Sequence, residues 1–266
     1  FHLKQRSDPF YLSMAGSIRD FHDAVSAGRN PESDGAFGAD LVRISEEITA
    51  QAFPAAPGVA RPAPKAPEGK SDVMLLGGTG FIGKHTVRKL LDAGKSVAVM
   101  ARNLNNLDPV FFEDGVSVMR GDVTSQKDVE QATALAPIVV NLAHGGGGAS
   151  WAEVERSMVG SARLVGTACL AAKSERLIHI GSIAGLYLGD ENDTIIGQTP
   201  PDPEAEARAD YSRGKAESDR AILQMFQKDG LPVCILRPGV VVGEGTSPFH
   251  SGLGFYNNDQ YCLGWN

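Results

Sequence analysis

The stretch "LLGGTGFIGKH", residues 75–85, decides the fold of this chain. An apolar run precedes it and a segment of helical periodicity follows it, so its glycines form a turn between a strand and a helix. "GGTGFIG" has the spacing of a dinucleotide-binding turn, whereas "GTGFIGKH" is one residue short of a triphosphate-binding P-loop. Both interpretations place phosphate on backbone N–H groups at the start of a helix.

The residue after the lysine separates the two interpretations. A P-loop needs a Ser or Thr hydroxyl there to bind magnesium, and His85 is an unsuitable ligand for that ion. In the favoured dinucleotide turn, the first glycine permits a tight turn, the second lets the backbone approach a pyrophosphate, and the third allows close helix packing. The predicted cofactor contacts here are Gly77, Gly80, Phe81, Ile82 and Gly83.

Alternating apolar runs and helical segments from residue 71 onward predict the rest of the fold. Six runs predict strands, in "DVMLLG", "SVAVMAR", "VSVMRGD", "APIVVNLA", "RLIHIGS" and "LPVCILRPG". Predicted helices cover 81–93, about 150–173 and about 209–229. Short apolar strands separated by helices indicate an α/β protein with a doubly wound parallel sheet, the Rossmann class.

Composition changes along the chain predict its domain organisation. Residues 1–53 carry apolar positions at helical spacing, which predicts two helices at about 10–27 and 38–52. The Pro- and Ala-rich segment 54–70 predicts a semi-rigid linker, and 71–239 predicts the dinucleotide-binding domain. Residues 240–266 are expected to begin a substrate-binding region that is cut short.

Charge and cysteine content exclude several classes of function. A net charge of −7 and a pI near 5.4 argue against nucleic-acid binding, which needs clustered Lys and Arg. No apolar run is long enough for a membrane helix, and no signal peptide is expected. Three cysteines, Cys169, Cys234 and Cys262, fit a cytoplasmic protein, and their spacing predicts no metal site.

The end of the second strand bears on the choice of cofactor. It reads "MARN", without the acid that would accept a hydrogen bond from the ribose 2′-hydroxyl of NAD. Arg102 fits a 2′-phosphate instead, so NADP is favoured over NAD, the alternative being an Arg102 that faces solvent. Lys84 or His85 would add positive charge nearby. Asp122, beside Val123 at the end of the third strand, is expected to accept a hydrogen bond from the adenine amino group.

The segment "ADYSRGKAESDR" supplies candidate chemistry. Tyr211 and Lys215 are four residues apart and share a helix face. A phenol beside an ammonium ionises more easily, which makes it a usable acid or base, although such a pair also occurs by chance. Ser182 ends the fifth predicted strand, and the carboxyl ends of strands line the ligand crevice in this fold. Ser182 is therefore expected close to Tyr211.

These motifs resemble those of the short-chain dehydrogenase/reductase superfamily, in its extended branch, the NAD(P)-dependent epimerase/dehydratase family. The matching elements are "GGTGFIG", "GDVT", "NLAH", "IGSIAG", "YSRGK" and "RPGVVVGEG", within about 72–245. The resemblance implies that Tyr211 is the catalytic acid/base, that Lys215 favours its ionisation and holds the nicotinamide ribose, and that Ser182 hydrogen-bonds the substrate oxygen. The further cofactor contacts that it implies are Asn141, Ala143, His144 and Pro238.

The chain departs from that family's pattern in two places. Many members have Val-Tyr-Gly directly after the catalytic Ser or Thr, whereas "SIAGLYLG" places Tyr187 one residue later. After His144 comes a run of four glycines, which is either a flap on the substrate side or a plain loop. The first departure bears on the assignment of Ser182 as the residue that hydrogen-bonds the substrate oxygen.

A second resemblance lies in residues 1–53, which look like the C-terminal tail of a Gfo/Idh/MocA family oxidoreductase. The matching segment is "DPFYLSMAGSIRDFHDAVSAGRNPESDGAFGADLVRISEEI", and it carries none of that family's catalytic motifs. Members of that family largely act on sugars and cyclitols, which favours a sugar or sugar nucleotide as substrate by analogy.

The sequence thus predicts an NAD(P)-dependent oxidoreductase or epimerase that transfers a hydride to or from a carbonyl or carbinol carbon of a small molecule. A non-catalytic NAD(P)-binding sensor or scaffold is the alternative, and the presence of both Tyr211 and Lys215 argues against it. The expected partner is a small-molecule substrate, with no membrane or nucleic acid. The family resemblance makes a homodimer possible.

Overall fold

The computed structural model describes residues 9–31, 33–52, 63–143, 150–186, 194–246, 255–257 and 261–263. The chain divides into two compact units, Phe1–Arg61 and Pro62–Asn266. In the described part of the chain, no helix has the length and apolar character needed to cross a bilayer.

The first unit contains two helices, α1 (Pro9–Ser26) and α2 (Gly35–Ala52). The chain leaves α1 through Gly28, whose φ of +63° suits a residue without a side chain. Asp34 precedes α2 and accepts a hydrogen bond from the Phe37 N–H at 2.9 Å, as an N-terminal cap does. Both helices expose large apolar side chains at helical spacing, among them Ile18, Phe21, Val25, Leu41 and Ile48.

The second unit is built on a six-stranded parallel sheet, which confirms the predicted fold class. Its strands are β1 (Val73–Leu76), β2 (Val97–Ala101), β3 (Val116–Arg120), β4 (Ile138–Asn141), β5 (Arg176–Ile180) and β6 (Val233–Leu236). The order β3-β2-β1-β4-β5-β6 reverses direction between β1 and β4. In open sheets of this kind the ligand crevice lies at that reversal, outside the carboxyl ends of the strands.

Helices cover both faces of this sheet. They are α3 (Phe81–Asp92), α4 (Gln126–Thr133), α5 (Trp151–Val154), α6 (Ser161–Ala172) and α7 (Asp210–Asp229). The sequence did not predict α4, which begins after Ser125, whose hydroxyl accepts from the Asp128 N–H at 3.4 Å. A short antiparallel pair, β7 (Phe255–Asn257) and β8 (Tyr261–Leu263), lies in the last predicted region.

The helix predicted over 150–173 contains a π-helical stretch, Glu155–Gly160, between α5 and α6. Val154 of α5 and Met158 of the π-helical stretch pack on α7 at Gly214, where a Cβ would lie 2.7 Å from Val154 Cγ1 and 2.8 Å from Met158 Sδ. The wider π turn and the small Gly214 together bring this helix close to α7. Gly214, which makes this contact, directly precedes Lys215 in the sequence.

The core consists of one apolar layer on each face of the sheet. All four residues of β1 are buried, as expected for a central strand covered on both sides. Met74 and Leu76 pack towards α6 and α7, in a layer that contains Val165 and Ile222. The opposite layer contains Leu75 of β1, Val87 of α3 and Phe111 of a 3₁₀ turn, Pro109–Phe112.

Candidate active site

The glycine turn between β1 and α3 is shaped by close backbone contacts. Gly77 has a φ of +73°, and a Cβ on it would lie 2.8 Å from the backbone N and Cα of Ala143. A Cβ on Gly83 would lie 2.1 Å from the Gly78 carbonyl oxygen. Neither position can hold a side chain unless the turn shifts. The turn therefore lies directly against the end of β4, where Ala143 was predicted to contact the cofactor.

Gly80 differs from its neighbours because the space beside it is open. A Cβ there would meet only the Gly77 carbonyl oxygen, at 3.6 Å. Gly80 is also the N-cap residue of α3 and has no side chain with which to cap that helix end. The first N–H groups of α3, at Phe81 and Ile82, therefore point into an open cradle with the partial positive charge of a helix N-terminus. Such a cradle fits a pyrophosphate.

The ends of β2 and β3 bring Arg102 and Asp122 near each other. Asp122 Oδ1 accepts hydrogen bonds from the Thr124 N–H and hydroxyl, both at 2.8 Å. These bonds, with a smaller contribution from the Arg102 charge, hold the pKa of Asp122 below its usual value. Arg102 is exposed, as a residue that meets a ligand phosphate or solvent would be. Val123 follows Asp122 at the same strand end.

Lys84 and His85, suggested as neighbours of an additional phosphate, have other partners in the structure. Lys84 Nζ lies 3.7 Å from the Asp108 carboxylate. His85 Nε2 lies 3.1 Å from the Glu244 carbonyl oxygen. The His85 contact ties α3 to the segment that follows β6, and the Lys84 contact ties it to the 3₁₀ turn after β2. Both residues therefore have a structural role.

Tyr211 and Lys215 lie in the first two turns of α7, as the sequence predicts. The Tyr211 ring is half exposed, whereas only 5% of Lys215 is exposed. Lys215 Nζ is 5.9 Å from the Tyr211 ring centroid and donates a hydrogen bond to the Ile180 carbonyl at 3.2 Å. Burial lowers the pKa of Lys215, and the negative charge of Asp219 opposes that shift. An accessible phenol thus lies beside a buried amine.

Ser182 lies at the end of β5 and is buried. Its hydroxyl oxygen accepts a hydrogen bond from the Ala184 N–H at 3.1 Å, which begins a 3₁₀ turn, Ile183–Gly185. A Cβ on Gly185 would lie 3.0 Å from the Ala216 backbone N, so this turn packs against α7 next to Lys215. The Ile183 N–H bonds the Pro238 carbonyl at 3.1 Å. The structure therefore brings Ser182, Lys215 and Pro238 together.

Sequence reasoning missed a buried polar group behind these residues. It links the predicted Asn141, on β4, to His179 on β5, Asp219 on α7 and Arg237 after β6. Among the three members that the sequence did not predict, Asp219 had a usable signal, since it lies four residues after Lys215 on the same helix. His144 and Tyr187 fall outside the described residues.

A comparison with protein families matches the model of the NAD dependent epimerase/dehydratase family to residues 73–257. The chain belongs to this family. The match spans the glycine turn, Ser182, Tyr211 and Lys215, and it confirms the family expected from the sequence motifs. The family's description names NAD, in agreement with the expected nicotinamide cofactor. The resemblance of residues 1–53 to a Gfo/Idh/MocA tail lies outside this match and stays a prediction.

Relatives of this epimerase/dehydratase chain have diverse names. It is 24% identical over 202 residues to the sterol-4-alpha-carboxylate 3-dehydrogenase (decarboxylating) of Candida albicans, covering 70% of this chain and 55% of that one. It is 28% identical over 197 residues to the dTDP-6-deoxy-L-talose 4-dehydrogenase of Kitasatospora kifunensis, covering 68% and 56%. The chain thus spans little more than half the length of these relatives.

Solved structures also resemble this family member. The UDP-glucose 4-epimerase of Thermus thermophilus, in complex with NAD, matches with a TM-score of 0.55 and 25% identity. The match covers 68% of this chain and 59% of that one. The dTDP-glucose 4,6-dehydratase DesIV of Streptomyces venezuelae matches with a TM-score of 0.55 and 22% identity, covering 62% and 55%.

Proposed function

We propose that the chain carries the cofactor and acid/base half of an NAD(P)-dependent oxidoreductase or epimerase of the extended short-chain type. The observation that carries the proposal is the turn after Ser182, which follows β5 and packs on α7 beside Lys215, at the same carboxyl edge of the sheet as the glycine turn after β1. A chance Tyr-x-x-x-Lys pair would have no reason to lie at that edge of the sheet. Family membership supports the same proposal.

The residues present fit a dinucleotide. The open cradle at Gly80 and the N–H groups of α3 would hold the pyrophosphate, and Lys215 would hold the nicotinamide ribose. When bound, the nicotinamide supplies or accepts the hydride. Asn141, Ala143 and Pro238 are proposed to border it, because they lie at the ends of β4 and β6.

The acid/base step falls to Tyr211. Its half-exposed hydroxyl can reach a substrate oxygen, to which it gives a proton during reduction and from which it takes one during oxidation. The ammonium of Lys215 stabilises the phenolate that forms when the proton leaves. Ser182 is proposed to hydrogen-bond the same substrate oxygen, since its hydroxyl also has a proton to donate.

The substrate class proposed is a sugar or a sugar nucleotide. Two of the relatives carry names of enzymes that act on dTDP- or UDP-linked sugars, which supports this class. The sterol dehydrogenase among the relatives makes a hydrophobic alcohol the competing class. NADP is proposed over NAD on the strength of the exposed Arg102 at the end of β2. We also propose a cytoplasmic location and a homodimer.

The experiment that tests the proposed function is a cofactor titration followed by a turnover assay. NADH and NADPH are titrated separately while nicotinamide fluorescence is measured. Absorbance at 340 nm then follows NAD⁺ and NADP⁺ with UDP-sugars, dTDP-sugars and sterol alcohols, and NADH and NADPH with the corresponding ketones. Chromatography of the same sugar nucleotides detects epimerisation or dehydration, which leaves the absorbance unchanged because the hydride returns to the product. Binding of NADPH with turnover of a sugar nucleotide supports the proposal. Binding without turnover of any compound supports the sensor alternative, and no binding of either cofactor refutes both.

A further inference from the structure

A buried carboxylate lies behind the proposed acid/base pair. Asp219, one helical turn after Lys215 on α7, has no exposed surface. Its Oδ2 accepts a hydrogen bond from Arg237 Nε at 2.6 Å. A Cβ on Gly181, directly after β5, would lie 2.6 Å from Asp219 Oδ1. The carboxylate therefore fills the space that is available because residue 181 has no side chain. Lys215 donates to the carbonyl of Ile180, the residue just before that glycine.

The neighbours of Asp219 bear on the ionisation of its carboxyl group. Asn141 Oδ1 accepts from the Ala143 N–H, so its amide Nδ2 donates to His179 Nδ1 at 3.3 Å. A neutral imidazole that accepts at Nδ1 carries its proton at Nε2, and His179 Nε2 lies 3.7 Å from Asp219 Oδ1. That distance is too long for a hydrogen bond, and both atoms are buried without a hydrogen-bond partner among the described residues. The ionised form of Asp219 is favoured instead by its 2.6 Å ion pair with Arg237.

The charges in the cluster do not cancel. Lys215 and Arg237 are cations and Asp219 is the anion between them. Burial raises the pKa of Asp219, and the neighbouring Arg237 and Lys215 charges oppose that shift. Burial lowers the pKa of His179 to about 3, with help from the Lys215 and Arg237 charges, so His179 adds no charge near neutral pH. One positive charge remains in excess on the side of α7 that carries Tyr211.

We propose that Asp219 is a positioning residue for the active site, whose carboxylate, fixed by Arg237, keeps the buried Lys215 an ammonium beside Tyr211. The role of Tyr211 in this statement rests on the proposed function. The effect of the Asp219 charge on the protonation of Lys215 does not depend on the proposed function. Without Asp219, two cations would lie buried with no anion between them, and Lys215 would lose its proton because Arg237 cannot.

Other elements packed on α7 contribute little charge at Lys215. The π-helical stretch presents Met158 to α7 at Gly214. From the 3₁₀ turn Ala205–Ala207, Glu206 lies 3.8 Å from Arg213. β5 contributes the neutral His179. Within the described residues, Asp219 is accordingly the carboxylate whose charge opposes the fall in the Lys215 pKa.

The test is the titration of Lys215 itself, which needs neither substrate nor turnover. Lysine is labelled with ¹³C, the Cε chemical shifts are followed with pH in the full chain, and the signal absent in Lys215→Arg is assigned to Lys215. Asp219→Asn keeps the shape of the side chain and removes its charge, whereas Asp219→Glu keeps the charge and changes the shape. The matched control is Glu217→Gln on the same helix, whose carboxylate pairs with Arg220.

We expect the midpoint of Lys215 to fall by about one pH unit or more in Asp219→Asn. It should stay near the wild-type value in Asp219→Glu and in Glu217→Gln. Equal midpoints in Asp219→Asn and wild type would overturn the proposal, as would a larger fall in Asp219→Glu than in Asp219→Asn. If Asp219→Asn does not fold, a wild-type Lys215 that is already neutral at pH 7 overturns it. Loss of the proposed function would appear separately, as absent turnover with an unchanged titration.

Discussion

His179 should make the stability of the second unit depend steeply on pH. The imidazole is 4% exposed, and burial beside two cations lowers its pKa from 6.5 to about 3. Unfolding exposes it and restores the ordinary value, so between pH 6.5 and 3 the unfolded chain binds one more proton than the folded chain. The contribution of His179 is therefore complete above pH 6.5 and is lost as the pH falls towards 3. The loss is about 1.4 kcal/mol per pH unit, or ~3 kcal/mol by pH 4.

The assay is urea unfolding followed by tryptophan fluorescence, because both tryptophans, Trp151 and Trp265, lie in the second unit. We compare wild type with His179→Gln, which keeps an amide donor near Asp219 but cannot gain a charge, at pH 7 and pH 4. The variant should lose ~3 kcal/mol less than wild type between these pH values. His22→Gln removes an exposed imidazole from the first unit and should leave the loss in the second unit as large as in wild type. Equal losses in wild type and His179→Gln would refute the reasoning.

Two further changes test the cofactor site. In Gly83→Ala, the added methyl group would lie 2.1 Å from the Gly78 carbonyl oxygen, so the turn must shift. NADH should then bind on the order of 10-fold more weakly in a fluorescence titration. Gly197→Ala, where the space is open, should bind NADH as wild type does. Arg102→Gln should weaken NADPH binding by roughly 10-fold and leave NADH binding unchanged, since the proposed partner of the Arg102 charge is the 2′-phosphate, which NADH lacks. An equal effect on both cofactors would contradict that assignment.

The sheet and the glycine turn follow from the sequence because their signals are local. The apolar runs Val73–Leu76 and Val97–Ala101 are continuous because both strands are covered on both faces. Gly77 and Gly83 lie against backbone atoms that leave no room for a side chain. The glycines of the motif therefore indicate where the turn packs closely. In the same way, the four-residue spacing of Tyr211 and Lys215 is enough to place them on one helix face.

Features that depend on distant contacts were not predictable. The helix α4 has few apolar residues, and its one clear signal is the cap at Ser125. The π-helical stretch Glu155–Gly160 has backbone angles at its ends that match an ordinary helix, and its contact with Gly214 through Met158 joins two distant parts of the sequence. The polar cluster joins Asn141, His179 and Arg237, which lie in or directly after three different strands, so it is visible only after the sheet order is known.

The most direct test of the central claim is the turnover of Tyr211→Phe. The change removes one hydroxyl from a half-exposed ring and leaves the glycine turn and the cluster around Lys215 intact. With a substrate found in the cofactor assay, kcat should fall by roughly 100- to 10,000-fold, the usual contribution of a general acid or base, while the Kd for NADH or NADPH stays unchanged. A Tyr211→Phe protein that retains the wild-type kcat would contradict the assignment of this site.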